Sequence, residues 1–297
     1  MERAHAAQAR PGQVAWWQRR RLREQVRLSL ATLLVLAGAA VMLVPLAWMV
    51  STSLKDEGEV FLVPVRWIPS QIRWQNYPEA LVFVPYGQYY LNSVKVTGLA
   101  VVGAVFTSSL VAFAFARLRA PGRDLLFLVL LSIMMLPGEV TLVPTYLLFR
   151  GLGWLDTYLP LVVPSWLGGA PFYIFLLRQF YLTLPLELDD AAKIDGAGLF
   201  DIYRRIIVPL SKPALATVAI FAFFQHCNAF LSPLIYLNTM EKYTLPVGLR
   251  FYLSVMGQTH WNYLMAATLV AILLPMTVFF ISQRYFVQGA VLTGLKG

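Results

Sequence analysis

The chain has 297 residues, of which 58% are hydrophobic and only 13% are charged, and this balance indicates a membrane protein. Its net charge of +9 is concentrated in arginines before the first apolar segment. That distribution follows the positive-inside rule of membrane proteins and not the broad basic surface of a nucleic-acid-binding protein. The single cysteine excludes an internal disulfide and a multi-cysteine metal site, and the three histidines share no metal-ligand spacing.

Six apolar segments predict six transmembrane helices. The first, residues 28–54, contains no charged residue. It exceeds both the ~20 residues of a spanning helix and the ~7–15 residues of a signal-peptide core, so we interpret it as an uncleaved first span. The other predicted spans are residues 96–116, 125–138 with an extension towards Leu148, 157–177, 213–240 and 263–283.

Residues 1–27 form a basic tail ahead of the first span. Trp16 and Trp17 stand beside arginines, which is typical of a segment at the lipid headgroups, although a disordered tail that only sets the topology fits the sequence equally well. Residues 55–90, rich in proline and tryptophan, predict an irregular external loop. We therefore expect one membrane domain over residues 28–297.

Lysines and arginines predict the orientation of the spans. With the N-terminus inside, Arg117, Arg119 and Arg123, residues 178–212 and the C-terminal segment all face the cytoplasm. Both termini are then cytoplasmic. The segment between the fourth and fifth spans lies on the same side.

That segment, residues 182–210, is short, polar and rich in acids, and we refer to it as the polar loop. Acids such as Glu187 and Asp189 suit the start of a helix, and Gly196 favours a turn after it. Arg204 and Pro209 are expected to close a second helix. A helix pair of this kind could be a simple connector or a surface that fits a partner's groove.

The string DDAAKIDGA, which begins at Asp189, resembles the EAA motif of ABC importer permeases. In that family the motif forms the coupling helix that docks onto the ATPase subunit. Asp190 stands where the family usually has glutamate, which keeps the charge on a shorter side chain. The resemblance assigns to the ATPase-docking surface Glu187, Asp190, Ala191, Ala192, Asp195, Gly196, Ala197 and Arg204.

The resemblance covers roughly residues 28–297, including the AFAFAR string that ends at Arg117 and the segment that begins at Gln283. It points to the carbohydrate-uptake branch of the family, to subunits similar to the smaller maltose-transporter permease. One departure is Cys227-Asn228-Ala229, where that family often has Trp-Asn-Asp.

The resemblance implies an all-α membrane protein with six transmembrane helices and a cytoplasmic coupling-helix loop, located in the bacterial inner membrane. It implies a heterodimer with a second related permease, two copies of an ABC ATPase subunit and an extracytoplasmic sugar-binding protein. The chain has no Walker-type glycine-rich stretch, so we expect no enzyme activity and no cofactor on it, with ATP and Mg²⁺ on the ATPase. The expected cargo is a mono- or oligosaccharide. The alternative is a non-sugar solute such as a polyol or glycerol phosphate.

Four residues near or within the spans are candidates for a substrate path. His226 and Asn228 could bind sugar hydroxyls or hydrogen-bond between helices. Glu139 would be functional at membrane depth and merely solvated at the interface. Trp166 could stack on a sugar face or pack against its neighbours.

Two other classes of membrane protein fit the sequence less well. A membrane-embedded enzyme needs a nucleophile set or metal ligands within the spans, and a stand-alone secondary transporter usually has paired intramembrane charges. The histidines are scattered and the spans are almost free of charged residues. The sequence therefore favours the permease subunit.

Overall fold

The computed structural model describes residues 14–253 and 259–294, with side chains described for residues 24–253 and 259–283. All regular elements in these ranges are helical, which confirms the predicted all-α class. Much of the predicted basic tail, with the side chains of Trp16 and Trp17, lies outside the described residues. In chain order the α-helices are α1 (Val14–Ser53), α2 (Asn76–Phe83), α3 (Tyr86–Arg117), α4 (Arg123–Ile133), α5 (Gly138–Gly151), α6 (Leu159–Trp166), α7 (Pro171–Leu182), α8 (Glu187–Ile194), α9 (Leu199–Ile202), α10 (Val208–Leu210), α11 (Lys212–Cys227), α12 (Leu231–Tyr236), α13 (Leu245–Gly248) and α14 (Trp261–Gly294).

The six predicted spans correspond to four long apolar stretches and two bent pairs of helices. The four stretches are α1, α3, α6 with α7, and α14, each long and apolar enough to cross a membrane. The bent pairs are α4 with α5, and Leu199–Leu210 with α11. If each pair counts as one span, the described residues contain up to six.

The third predicted span is bent and not one continuous helix. α4 and α5 meet at 98°, and Pro137 between them has an extended backbone (φ −60°, ψ 136°). Proline lacks an amide donor and disfavours a helical conformation in the residue before it. The chain therefore leaves α4 at Ile133, and the expected extension towards Leu148 follows only after the bend.

The fifth predicted span, residues 213–240, is wrong in its second half. α11 ends at Cys227, Asn228 caps it with φ −93° and ψ 3°, and the chain resumes as α12. In an unbroken helix Pro233 would clash with the carbonyl of Ala229 and remove a backbone hydrogen bond. Asn228 consequently lies in a turn and not inside a spanning helix.

The sequence predicted that Pro209 ends the second helix of the polar loop, and this prediction is wrong. The chain runs from α9 through a π-helical turn, Tyr203–Ile207, into α10 and bends only at Ser211. The π turn shifts the hydrogen bonding, so that the Val208 amide donates to the Tyr203 carbonyl. Pro209 then falls at the start of α10, where a missing donor costs little.

Helix α3 is the centre of the bundle because one of its faces carries small residues. Ala100, Ala104, Ser108, Ala112 and Ala116 recur at every fourth position, and each is at most 7% exposed. Positions four apart share a helix face, and small side chains let neighbouring helices approach closely. Helices α6, α7 and α11 all pack against α3.

Helix α1 lies at the edge of the bundle, where it packs mainly on α14. Every side chain from residue 24 to residue 45 is exposed, although the segment is strongly apolar. A helix that is hydrophobic on all sides and uncovered by protein is suited to a lipid environment.

Candidate functional site

The first helix of the polar loop, α8, ends in a glycine turn that the sequence had predicted. Gly196 has φ +82°, its amide donates to the Lys193 carbonyl (3.0 Å), and the Ala197 amide donates to the Ala192 carbonyl (2.9 Å). These two bonds form a Schellman motif, which satisfies carbonyls that a helix end would otherwise leave free. Glycine adopts the left-handed φ of this motif without strain. Asp195 is the capping residue just before it.

One face of α8 points away from the bundle. Glu187, Asp190 and Ala191 are exposed, and Asp190 contacts Lys193 at 3.0 Å with 69% of its own side chain accessible. Five large apolar side chains are also exposed at α8 and at the start of α9: Leu186, Leu188, Ile194, Leu199 and Phe200. Acids interspersed with exposed apolar side chains are typical of a surface that binds another protein.

The opposite face of α8 is fixed to the bundle through Asp189 and Ala192. Asp189 Oδ2 lies 3.3 Å from Arg117 Nε, and the two side chains are only 7% and 3% exposed. The same guanidinium donates from Nη2 to the Leu184 carbonyl (2.9 Å). Sequence reasoning missed this pair, although the arginine that ends the AFAFAR string was a visible signal.

The second half of the polar loop is tied to α3 through buried hydroxyl groups. Ser109 Oγ lies 2.7 Å from the Tyr181 hydroxyl and 2.9 Å from the Tyr203 hydroxyl. Tyr203 begins the π turn, so the turn brings its ring against α3. Arg204, the next residue, is exposed, and Arg205 pairs with Asp201 one helical turn earlier (3.2 Å).

A central cavity of about 430 Å³ lies between α3, α5, α6, α11 and α12. Its polar lining consists of hydroxyl, amide and imidazole groups, and none of the described lining residues is Lys, Arg, Asp or Glu. The polar lining residues are Ser93, Thr97, Thr145, Ser165, Gln225, His226, Ser232, Tyr236 and Thr244. Groups of these types can donate and accept hydrogen bonds to the hydroxyls of a neutral solute.

Only one of the four predicted path residues lines this cavity. His226 does so, with Nε2 3.3 Å from Ser165 Oγ. Asn228 is exposed just beyond α11, and Glu139 is exposed in the first turn of α5. The Trp166 indole donates to the Leu99 carbonyl (3.0 Å) and covers Gly103 on α3, where an added Cβ would lie 2.4 Å from the ring. These contacts are those of a packing residue.

At the other end of α3, a second ion pair joins two distant segments. Asp156 Oδ1 accepts from the amides of Asn238 and Thr239 (both 2.9 Å), and Oδ2 accepts from the Thr239 hydroxyl and from Lys242 Nζ (2.7 Å). We call these four residues the Asp156 clamp. The Lys242 ammonium and the three other donors hold the pKa of the Asp156 carboxyl well below its usual range.

Comparison with known proteins identifies the family. Residues 104–291 match the family described as binding-protein-dependent transport system inner membrane component. The chain is 34% identical over 266 residues to the sn-glycerol-3-phosphate transport system permease protein UgpE of Yersinia pestis, covering 87% of this chain and 94% of that protein. It is 31% identical over 259 residues to the probable ABC transporter permease protein YurM of Bacillus subtilis, covering 85% of this chain and 83% of the relative.

Solved structures share the fold. A chain of a bacterial ABC transporter involved in the import of the acidic polysaccharide alginate aligns with a TM-score of 0.79 at 23% identity, covering 89% of this chain and 97% of that one. Together with the helical bundle described above, the family match is decisive. This chain is a multi-pass membrane permease of the binding-protein-dependent transport system inner membrane component family.

Proposed function

We propose that this chain is one permease subunit of an ATP-driven importer for a neutral carbohydrate delivered by an extracytoplasmic binding protein. The observation that carries the cargo assignment is the central cavity, whose polar lining is made of hydroxyl, amide and imidazole groups. Such groups match the hydroxyls of a mono- or oligosaccharide, because each can pair with a neutral donor or acceptor.

Glycerol phosphate is the second candidate, because several relatives at 34% identity are named as sn-glycerol-3-phosphate permeases. A phosphate is usually bound by Arg or Lys, or by backbone amides at a helix N-terminus. The described lining of this cavity contains no Arg or Lys. We therefore rank the neutral sugar first and the anionic solute second.

Uptake into proteoliposomes separates the two cargo candidates. The complete transporter with its binding protein is tested with a panel of labelled neutral mono- and oligosaccharides and with labelled glycerol 3-phosphate. We expect ATP-dependent accumulation of one of the sugars. Accumulation of glycerol 3-phosphate with no sugar transported would overturn the sugar assignment.

The polar loop supports a docking role for an ATPase. Its outward face combines Asp190 with exposed apolar side chains such as Ile194, which is 88% exposed. We place this side of the bundle in the cytoplasm, together with both termini, because of the arginines around it. ATP and Mg²⁺ would then bind to two ATPase copies, and a second, related permease would complete the membrane part.

Substitution of Asp190 tests the docking face. An exposed carboxylate can make a charge-assisted hydrogen bond with an Arg or Lys of the ATPase, about twice as strong as a neutral one. Asp190→Ala should therefore reduce the ATPase recovered with the permease, whereas Asp190→Glu should retain it. Asp124→Ala is the matched control, since Asp124 is an equally exposed acid at the start of α4. Equal recovery with all three variants would remove Asp190 from the docking face.

A further inference from the structure

Arg117 and Asp189 form an ion pair that is buried on both sides. The side chains are 3% and 7% exposed, and Asp189 lies 72 positions further along the chain. Arg117 also donates to the Leu184 carbonyl, just beyond the end of α7. One guanidinium therefore holds the chain between α7 and α8 and the first turn of α8 itself.

This pair is incompletely satisfied. Asp189 Oδ1 is buried without a hydrogen-bond partner, and the Arg117 Nε–Asp189 contact of 3.3 Å is too poorly directed to count as a full hydrogen bond. Buried ion pairs of this kind often add no more stability than apolar residues of the same volume, because both charges lose their water. The Arg117–Asp189 pair is thus explained better by a role in positioning α8 against α3 than by a contribution to overall stability.

A second contact ties the other half of the polar loop to the same helix. Ser109 on α3 bonds to Tyr203 at the start of the π turn and to Tyr181 on α7. Ser109 and Arg117 are eight residues apart, which is about 12 Å along a helix with a rise of about 1.5 Å per residue. Both halves of the polar loop are therefore fixed to one rigid element at two separate points.

The same helix reaches the central cavity. Ser93, Val96 and Thr97 of α3 line it, and Thr97 lies about 30 Å from Arg117 along the helix axis. The small-residue face of α3 packs closely against its neighbours, so a displacement at one end of the helix is passed on to the other. Among the described helices, α3 alone forms a buried ion pair with the polar loop and also contributes residues to the cavity lining.

We infer that Arg117 and Asp189 are positioning residues that couple the ATPase-docking loop to the cavity through α3. The guanidinium spans the Leu184 carbonyl and the Asp189 carboxylate, so that a shift of α8 moves the end of α3 with it. This inference rests on the proposed ATPase docking. It concerns residues that face away from the docking surface and touch neither the ATPase face nor the cavity.

The test follows the cavity end of α3 while the ATPase is switched between states. Cys227→Ser removes the single native thiol, and Thr97→Cys places a reporter in the cavity. The labelling rate with a water-soluble maleimide is measured on the full transporter, without nucleotide and after trapping with ATP and vanadate. The expected rates differ between the two states.

The key variant is Arg117→Gln with Asp189→Asn, which removes both charges and nearly preserves side-chain volume. We expect most of the difference in labelling rate between the two states to be lost, because the two sites are then no longer coupled. The matched control is Arg73→Gln with Asp56→Asn, a neutralised exposed pair between α1 and α2, which should keep the full difference. An unchanged difference in the Arg117/Asp189 double variant would overturn the inference.

Further outcomes separate this inference from the proposed function. If no ATPase associates with the parent permease, the proposed function fails. If the ATPase binds and hydrolyses ATP but Thr97→Cys labels equally in both states, only the inference fails. Should the double variant not assemble, Arg117→Lys replaces it. Lysine keeps the charge but cannot span Leu184 and Asp189 together, so a full response in that variant would also contradict the inference.

Discussion

The two ends of α3 lie near two ion pairs that join distant segments, and these pairs are satisfied to very different degrees. Asp156 in the clamp accepts four hydrogen bonds from the side chains and amides of Asn238, Thr239 and Lys242. Asp189 has one poorly directed contact with Arg117 and one oxygen with no partner. A fully bonded carboxylate fixes one arrangement, whereas an under-bonded buried pair loses less when its geometry changes. The comparison indicates that the Asp156 clamp keeps its two segments in one arrangement, whereas the Arg117–Asp189 contact can change its geometry at a lower cost.

The largest expected effect comes from removing one member of the buried pair. Asp189→Ala leaves the Arg117 charge buried without its partner, and breaking a buried pair in this way costs about 3–5 kcal/mol. Asp190→Ala, one position further along α8, removes an exposed pair with Lys193 that contributes about 0–1 kcal/mol. Thermal unfolding of the purified permease in detergent measures both. Similar losses would mean that Asp189 is not buried as described, and would restore the simpler view that both acids are solvated.

The Asp156 clamp gives a smaller but distinct effect. Asp156→Ala removes the carboxylate and its hydrogen bonds, and alanine is strained at the left-handed φ of +58°. We therefore expect the free energy of unfolding to fall by about 2 kcal/mol. Asp156→Asn keeps one acceptor oxygen, and asparagine tolerates this φ. The free energy of unfolding should therefore fall by only about 1 kcal/mol.

The contrast between the two ion pairs also predicts how a substitution in the clamp affects transport. Because the clamp keeps one internal arrangement, Asp156→Asn should leave the number of solute molecules transported per ATP unchanged, when uptake and ATP hydrolysis are measured on the same proteoliposomes. A lower ratio in this variant would show that the clamp also changes its geometry during transport, and the contrast between the two ion pairs would be lost.

The smallest effect sharpens the comparison within the polar loop itself. Gly196→Ala meets no atom within 4 Å, so its cost comes only from the left-handed backbone at φ +82° and should be about 1 kcal/mol. Gly87→Ala is the control, because Gly87 also has open space around it but lies in the first turn of α3. That variant should be neutral or slightly stabilising in the same thermal unfolding measurement. Equal destabilisation of the two variants would argue against the left-handed turn.

Much of the fold was predictable from the sequence because membrane spans need long apolar segments. The predicted first span differs from α1 mainly at its start and the predicted last span from α14 mainly at its end, where each helix extends beyond the apolar segment. The breaks were harder to place. The chain breaks before Pro137, which caps α5, and before Pro233, which lies in the first turn of α12. No such break precedes Pro209, because the π turn leads directly into α10. That turn has no short sequence signature.

The candidate site divides in the same way. The glycine turn and the exposed face of α8 follow from local spacing, since Asp189 and Asp190 must point about 100° apart on a helix. The resemblance assigned Asp190, and not Asp189, to the ATPase-docking surface. In the structure Asp190 faces solvent, whereas Asp189 faces Arg117, a partner that the sequence had not indicated. A partner that lies 72 positions away cannot be read from the loop alone.

The cavity was the feature least predictable from the sequence, because five helices contribute to its lining. Ser165 on α6 and His226 on α11 meet at 3.3 Å only after α6 and α11 have both packed against α3. His226 was predicted as a path residue because it is a polar side chain in an apolar segment, and this signal is not specific to a substrate path. Gln225 beside it carries the same signal but was not predicted.

The exposed first helix has a consequence for membrane insertion. α1 satisfies its backbone hydrogen bonds internally, as any spanning helix must, and every side chain of residues 25–45 is exposed. It therefore meets the backbone requirement of a lipid environment without help from other helices. The bent pair α4–α5, by contrast, interrupts its helical hydrogen bonding at Pro137, where the backbone groups need partners outside the helix. We therefore expect α1 to insert into a membrane independently of the rest of the bundle.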